Sequence, residues 1–281
     1  MIFLSEAGYK MEKIDLHIHT VASDGKLTCD EIIDMAAKKH VDCLSITDHD
    51  SVESVTRAID YGNEKGISVI PGIEFSVEWK ATVHILGYYI DINNKGIVDA
   101  CKKIQNSRMT ELIQLIKKLR QLGIQIDIMD IKKQRLDGIK SIANYMLQHG
   151  YGNSTDEILN RYLRREGLAY VTRHGLSDKE AISIIKNAGG VAILAHPGRI
   201  KVAENELFRY IDELVDYGLD GIEVYSQHNK KVNIFEKYCL DRKLLISGGS
   251  DFHDSHLEEI GKYKGIDIPY KKVYKSICDI G

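Results

Sequence analysis

Histidines and acidic residues, which both bind metal ions, recur along the chain at the ends of apolar segments. Six histidines lie in or directly after an apolar run that predicts a β-strand, and three acids share that placement or follow within a few residues. These nine residues are His17, His19, Asp24, His49, Glu74, His84, His196, Asp251 and His253. Since side chains at the carboxyl ends of parallel strands converge on one face of a barrel, we expect the nine to form a single site.

Taken alone, members of this set also fit roles other than metal binding. The spacing of His17 and His19 turns both imidazoles to one face of a strand, which suits one ion but also fits two solvated histidines. Glu74 ends an apolar run, where a carboxylate needs a cation or hydrogen bonds. His84 lies inside such a run, where a lone histidine is more often a core residue. The repeated placement at strand ends favours the metal site.

The residue types in the set indicate the ions and the chemistry. Histidine and carboxylate without thiolate suit Zn, Mn or Fe(II), and are typical of catalytic rather than structural sites. Nine ligands exceed the needs of one ion, so the sequence predicts several. Clustered divalent ions attract a phosphate dianion, lower the pKa of bound water and stabilise the attacking and leaving oxygens of an in-line displacement. The predicted chemistry is therefore hydrolysis of a phosphate ester.

An alternation of strands and helices is predicted to position these residues. Apolar runs such as KIDLHIH, VDCLSITDH, ISVIPGIE and VHILGYYI alternate with helix-like stretches, and the same rhythm returns at VAILAH, DGIEVYS and LLISGG. Gly189 and Gly218 are predicted to end helices. Repeated βα units with short connections predict an α/β fold whose parallel sheet closes, or nearly closes, into a barrel.

One long segment departs from this alternation. Between about Gly96 and Gly167 the strand signal fades, and the sequence predicts helices rich in Lys, Gln, Leu and Ile. We interpret the segment as a helical insertion, with a run of outer barrel helices as the alternative. The predicted division is therefore 1–95 for the first part of the barrel, 96–167 for the insertion and 168–281 for the second part.

Composition excludes several classes of protein. The 281 residues carry a formal charge of -3, which argues against a nucleic-acid platform that acts through bulk positive charge. Five cysteines without a CxxC pair argue against a disulfide framework and a cysteine-based zinc site, and they predict a reducing, cytoplasmic setting. No stretch approaches the roughly 20 apolar residues of a membrane span. The sequence indicates no obligate protein partner.

The order of the motifs resembles one known family. HxH at His17, SDG at Ser23, TDHD at Thr47, HPG at His196 and SDFH at Ser250 are similar to the motifs of the polymerase and histidinol phosphatase (PHP) family. The resemblance extends from Ile14 to about His256 and includes YLRREGLAYV, IIKNAGGVAILAHPGR and GLDGIEVY. These segments resemble the nucleotide-directed branch, which includes nucleoside 3',5'-bisphosphate phosphatases and 5'-3' exoribonucleases.

This resemblance implies a distorted TIM-like (βα)7 barrel with a site for three divalent metal ions, usually Mn, Fe or Zn. The implied ligands are His17, His19, Glu74 and Asp251 for the first ion, Glu74, His84 and His196 for the second, and Asp24, His49 and His253 for the third. Glu74 bridges two ions in this arrangement. A metal-bound hydroxide is the implied nucleophile, and the substrate is a phosphorylated small molecule or a short nucleic acid.

Two arginines match family positions that contact substrate phosphate. Arg199 directly follows HPG, and Arg108 lies in NSRMTEL, although both also fit solvated surface arginines. One segment departs from the branch, whose members carry Gly-Arg-Pro-His where this chain has Gly138 to Ala143. The Arg and His are absent there, with Lys140 as the nearest substitute in charge, so the chain is expected to prefer a different substrate.

Two further functions fit the sequence less well. A small-metabolite phosphatase, for example one for histidinol phosphate, is compatible with the charge, but the insertion favours the nucleotide branch. A non-catalytic PHP module that binds metal or a partner is expected to have lost ligands, and none of the nine positions is lost. His228, in YSQHNKK, could approach the leaving group, but we interpret it as an exposed loop histidine.

Overall fold

A computed structural model describes residues 13–79, 82–127, 129, 139–172, 175–254, 256 and 258–277. Within them, one mixed sheet contains the strands that carry the predicted site. These strands are β1 (Ile14–Ile18), β2 (Cys43–Ile46), β3 (Ser68–Glu78), β4 (Thr82–Tyr88), β5 (Leu176–Ser177), β6 (Val191–Leu194), β7 (Gly221–Ser226) and β8 (Leu245–Gly249). Seven of them follow the order β1-β2-β3-β4-β6-β7-β8, and β5 pairs with β3 beside this path.

The direction of β4 differs from the sequence prediction of a parallel sheet. β4 runs antiparallel to both β3 and β6, whereas the pairs β1–β2, β2–β3, β6–β7 and β7–β8 are parallel. Only residues 79–81 separate β3 from β4, and a parallel crossover requires a dozen or more residues. The short connection therefore forces a hairpin within the otherwise parallel sheet.

The two outer strands of the path approach each other and nearly close the sheet. Ile18, the last residue of β1, forms a parallel bridge with Phe252, which lies just beyond β8. The amide of His19 donates to the carbonyl of Phe252 at 2.9 Å, and the amide of Phe252 donates to the carbonyl of His17 at 3.3 Å. The predicted fold class, an α/β fold with a distorted TIM-like barrel, is thus confirmed.

Helices connect these strands along the chain, lie in the helical segment between β4 and β5 or follow β8. They are α1 (Cys29–Lys38), α2 (Val55–Lys65), α3 (Lys95–Gln121), α4 (Ile139–Gln148), α5 (Thr155–Ile158), α6 (Asp178–Asn187), α7 (Glu204–Asp216), α8 (Val232–Arg242) and α9 (Tyr270–Ile277). α1 and α6 begin with capping boxes, in which Thr28 pairs with Glu31 and Ser177 with Glu180. Gly189 has a φ of 78° just after α6, as expected for a helix end. A short antiparallel pair, β9 (Lys262–Tyr263) and β10 (Ile266–Asp267), precedes α9.

Helices α1 and α2 bury apolar faces against β2. One core cluster contains Ile32 and Ile33 of α1, Ala58 of α2, and Leu44 and Ile46 of β2, all with no exposed surface. Burying one such isoleucine or leucine side chain contributes about 1.5–3 kcal/mol. This packing holds the carboxyl ends of β1 and β2, which carry predicted ligands, in fixed positions.

The chain separates into two compact units, of which the barrel comprises the described residues up to Lys102 and from Leu176 onward. The second unit spans Lys103–Gly175 and is helical, with its own core around Leu119, Met146 and Ile158. The predicted division at 96–167 stays a prediction. Within the departure from the family motif, Gly138 and the side chain of Lys140 lie outside what the structure describes. None of the helices in the described part of the chain has the length and apolarity that crossing a membrane requires.

Candidate metal centre

The structure brings all nine predicted ligands together. His17 and His19 lie at the end of β1, His49 follows β2, and Glu74 lies within β3. His196 follows β6, and Asp251 and His253 follow β8. Each of the nine belongs to at least one group of side chains whose ligand atoms lie within 4.8 Å of one another. The strands therefore converge as the sequence predicts.

His84 reaches the site because of the antiparallel direction of β4. It lies near the start of β4, opposite Ser76 of β3, rather than at a carboxyl end. The start of an antiparallel strand lies at the same edge of the sheet as the carboxyl ends of its parallel neighbours. The mid-run histidine, which resembled a core residue in the sequence, is thereby placed 3.0 Å from Oε1 of Glu74 through its Nδ1.

The innermost group contains two imidazoles whose nitrogens face each other. Nε2 of His17 lies 3.1 Å from Nε2 of His19, and both nitrogens lie 3.3 Å from Oδ1 of Asp251. Ligands bound about 2.1 Å from one ion at right angles are separated by about 3 Å. These distances therefore fit a divalent cation between the three side chains.

Glu74 lies at the centre of the cluster, and both of its oxygens face histidines. Oε1 is 3.0 Å from Nε2 of His196, and Oε2 is 2.9 Å from Nδ1 of His49. Oε2 of Glu74, Nδ1 of His49 and Nδ1 of His196 are buried, and the described residues offer them no hydrogen bond of acceptable angle. Buried polar atoms without partners are costly, and a cation would satisfy the first two. The residues present thus fit a metal site.

Asp24 anchors the outer edge of the cluster. Its Oδ1 lies 3.3 Å from Nε2 of His253 and 3.6 Å from Nδ1 of His19, while its Oδ2 is 3.9 Å from Nε2 of His49. Its side chain is 48% exposed, whereas that of Glu74 is fully buried. This part of the cluster is looser and open to water.

The acids of the cluster are ionised. Burial acts to raise the pKa of Glu74, but the neighbouring His49, His17 and His84 lower it well below its usual value. The pKa of Asp251 is lowered in the same way against the effect of its burial, chiefly by His17. Burial lowers the pKa of His84 to about 3, although Glu74 opposes the shift, so that imidazole is neutral. Burial acts to lower the pKa of His17 and His19, but the surrounding carboxylates raise it, to about 10 for His19. Since metal ions bind anionic carboxylates and neutral imidazoles, ion binding at these two histidines would release protons.

The backbone is strained where two of the ligands are presented. His196 has a φ of 26° and Asp251 a φ of 57°, in a region that non-glycine residues rarely adopt. Such strain concentrates at functional sites, where the surrounding structure holds it in place. Close approach also matters at Gly249 of β8, because a Cβ there would lie 2.2 Å from Cβ of His17.

Three buried acids support the cluster and were missed by the sequence analysis. Glu223 of β7 lies 3.0 Å from Nδ1 of His17 through Oε1, and its Oε2 accepts a 2.7 Å hydrogen bond from the amide of His196. Asp48 accepts hydrogen bonds from the amide and hydroxyl of Thr20, both at 2.7 Å. Asp15 accepts from the amides of Ser250 and Gly261, and burial raises its pKa to about 6. Asp15 and Glu223 interrupt apolar runs, which was the available signal, whereas Asp48 follows such a run within the TDHD motif.

The two predicted phosphate-binding arginines lie in different parts of the chain. Arg199 lies in a short 3₁₀ turn after β6, with Nη1 3.4 Å from Oδ2 of Asp251 and its side chain 40% exposed. It thus borders the cluster. Arg108 lies on α3 in the second compact unit and is partly exposed. Its role stays a prediction.

Comparison with known proteins gives the family. Residues 15–230 match the PHP domain. This chain belongs to the PHP domain family. The PHP chain is 33% identical over 252 residues to the 3',5'-nucleoside bisphosphate phosphatase of Chromobacterium violaceum, covering 86% of this chain and 88% of that protein. It is 30% identical over 248 residues to the 5'-3' exoribonuclease Rnm of Escherichia coli, covering 85% and 84%.

A solved structure extends the likeness to the fold. The structure of an amidohydrolase from Chromobacterium violaceum with bound sulfate is 29% identical to this PHP chain, with a TM-score of 0.77. The match covers 94% of this chain and 96% of that one. The predicted family, its nucleotide-directed branch and its class of enzyme, a hydrolase of phosphate esters, agree with these relatives.

Proposed function

We propose that this PHP chain hydrolyses phosphate esters of nucleotides or short oligonucleotides with the help of three divalent metal ions. The observation that carries the proposal is the convergence of nine histidine and carboxylate ligands around the buried, ionised Glu74. Such a centre is suited to hydrolysis, since bound divalent ions lower the pKa of coordinated water and neutralise charge that develops on phosphate oxygens.

We propose the ligand sets that the family resemblance implies. One ion would be held by His17, His19, Glu74 and Asp251, a second by Glu74, His84 and His196, and a third by Asp24, His49 and His253. The second set is supported by Oε1 of Glu74, which lies 3.0 Å from both His84 and His196, although the structure also groups Glu74 with His17 and His196 and with His49 and His84. The donor set suits Mn, Fe or Zn and does not choose among them.

The protein side chains orient the site and bind the substrate. Glu223 accepts a hydrogen bond from Nδ1 of His17, which would leave Nε2 of that imidazole available to bind an ion. Glu74 presents its two oxygens to histidines on both sides. Arg199 borders the cluster with a partly exposed guanidinium, which is suited to bidentate binding of phosphate oxygens.

The substrate class follows from the family branch. The relatives named above act on nucleoside bisphosphates and on RNA, which supports a nucleotide or short oligonucleotide as substrate. The absence of the Arg and His of the branch motif near Lys140 favours a substrate that differs from those of the relatives. A cytoplasmic setting belongs to the same proposal, since the described cysteines Cys29, Cys43, Cys101 and Cys239 are buried and form no disulfide.

A substrate panel with metal analysis tests the proposal. The purified chain supplied with Mn should release phosphate or mononucleotides from nucleoside bisphosphates, nucleotides or short RNA, and should release less from histidinol phosphate. Asp24→Ala, His49→Ala and His253→Ala, each tested separately, should abolish this activity. Full activity in all three variants would exclude the third ion from the reaction, and preference for histidinol phosphate would exclude the nucleotide assignment.

A further inference from the structure

His228 lies at the border of the metal centre rather than in an uninvolved loop. It follows β7 in the turn after Ser226, and its Nε2 is 2.9 Å from Oδ2 of Asp251. Its ring meets that of His196 edge to face at 5.8 Å between centroids. The side chain is 32% exposed, so it faces both the ligand cluster and solvent.

The two oxygens of Asp251 have different neighbours. Oδ1 faces inward, 3.3 Å from Nε2 of both His17 and His19. Oδ2 faces the border, where it is approached by Nε2 of His228 and by Nη1 of Arg199 at 3.4 Å. Two hydrogen-bond donors on different loops thus point to one acceptor at the edge of the cluster.

A buried asparagine holds these two loops together. Asn229 is fully buried, and its Nδ2 donates to the carbonyls of Glu223 and Val224 at 2.8 and 3.0 Å. Its Oδ1 accepts a 2.7 Å hydrogen bond from the amide of Gly198, the residue before Arg199. A Cβ at Gly198 would lie 2.3 Å from the carbonyl oxygen of His228, so only glycine permits this approach. The spacing of Arg199 and His228 is therefore built into the fold.

We propose that His228 is a substrate-binding residue that, together with Arg199, forms a two-donor clamp for the phosphate group of a phosphate ester. This inference rests on the proposed function. In the absence of substrate, Arg199 and His228 both hydrogen-bond to Oδ2 of Asp251. Because their side chains are partly exposed, they can turn toward the oxygens of a phosphate group bound at the metal centre. The competing role is one in which His228 only orients Asp251 as a metal ligand.

The test compares two substitutions of His228 in the Mn-loaded 281-residue chain. His228→Leu removes the donor, whereas His228→Gln keeps an amide N–H at a similar distance. We expect His228→Leu to raise KM for a nucleoside bisphosphate and Kd for inorganic phosphate by about tenfold, the effect of losing one hydrogen bond to a charged group. His228→Gln should recover most of the loss. The number of bound Mn ions should stay that of the unsubstituted chain in both variants.

A matched control is His40→Asn, which removes another exposed loop histidine at a φ of 56° that asparagine tolerates. It should change neither constant. The double variant, Arg199→Leu with His228→Leu, should also raise Kd for phosphate. The factor should differ from the product of the factors measured for the two single variants, because both donors act on one group.

Two results would overturn the clamp. One is a His228→Leu variant that loses Mn but, when saturated with Mn, binds phosphate as tightly as the unsubstituted chain. The other is an unsubstituted Mn-loaded chain that does not bind phosphate. If the chain binds phosphate but hydrolyses no phosphate ester, the proposed function fails, while the ratio of phosphate Kd values still decides the role of His228.

Discussion

The metal centre has a buried half and an exposed half, which are built differently. The buried half consists of His17, Glu74, His84, His196 and Asp251, and the exposed half of Asp24, His49 and His253, with His19 between them. In the buried half, Glu223 holds the imidazole of His17 and the backbone amide of His196 through hydrogen bonds. In the exposed half the Asp24 side chain is 48% exposed, and its distances to the histidines reach 3.9 Å.

This difference suggests that the two halves bind ions with different strength. Ligands fixed by buried hydrogen bonds lose little freedom when an ion binds, and their charges act in a medium of low dielectric. A solvated carboxylate must be ordered and partly dehydrated first. We therefore expect the buried half to retain its ions when the exposed half has released its own.

The largest effect is expected at Glu74, because its two oxygens face both halves. Glu74→Gln should lower metal content in both halves and reduce phosphate release by at least about 10³-fold, since metal assistance is worth several kcal/mol. Metal analysis with activity assays measures this, and circular dichroism checks folding. An unchanged metal content would show that Glu74 is not the centre of the site.

A smaller loss of ion affinity is expected on substitution of Glu223, which contacts ligands of the buried half but is not one of the nine predicted ligands. Glu223→Gln should weaken ion binding there by about 10- to 100-fold, the usual effect of removing a partner of a histidine ligand. Titration against a competing chelator measures the affinity. The matched control is Asp220→Asn. Asp220 lies directly before the same strand, β7, and its carboxylate accepts a hydrogen bond from Lys186, so its loss should leave the ion affinity unchanged. Equal losses in both variants would point to a general effect of charge.

Asp24→Asn tests the exposed half with a change that keeps one oxygen ligand. We expect the affinity for one ion to fall by only about tenfold, because charge interactions at a solvated site are screened. Asp251→Asn makes the same substitution in the buried half and should cost more. A chelator titration compares the two variants, and an equal or greater loss for Asp24→Asn would contradict the proposed difference between the halves.

Parts of the centre could be predicted from sequence because they depend on local patterns. The HxH pair at His17 and the SDFH segment at Asp251 follow apolar runs whose strand character is readable from neighbouring residues. The direction of β4 was not predicted, because it depends on the length of a connection rather than on the apolar pattern of the strand.

The supporting acids could not be predicted for a different reason. Glu223 meets His17 across a separation of 206 residues, and Asp15 meets Ser250 across 235. No local pattern specifies such pairs, since they arise only when the sheet brings β1, β7 and β8 together. An acid within an apolar strand was a visible signal, but its partner was not.

The substitution Thr28→Ala tests which residues hold the loop that carries Asp24 in place. The loop runs from the end of β1 to Thr28, which caps α1 and forms a capping box with Glu31. Asp48 holds the other end of the loop through Thr20 and Ser23. Thr28→Ala should lower the free energy of unfolding by about 1 kcal/mol, the usual effect of losing a helix cap.

If Asp48 is the anchor, Thr28→Ala should leave the affinity for all ions unchanged, because the hydrogen bonds to Thr20 and Ser23 remain. Denaturant unfolding of the metal-free protein measures the first effect, and chelator titration the second. Weaker binding of one ion, with the buried half unaffected, would instead assign the ordering of Asp24 to the start of α1. In that case a helix cap would position Asp24 in the exposed half, as the hydrogen bond to Glu223 positions His17 in the buried half.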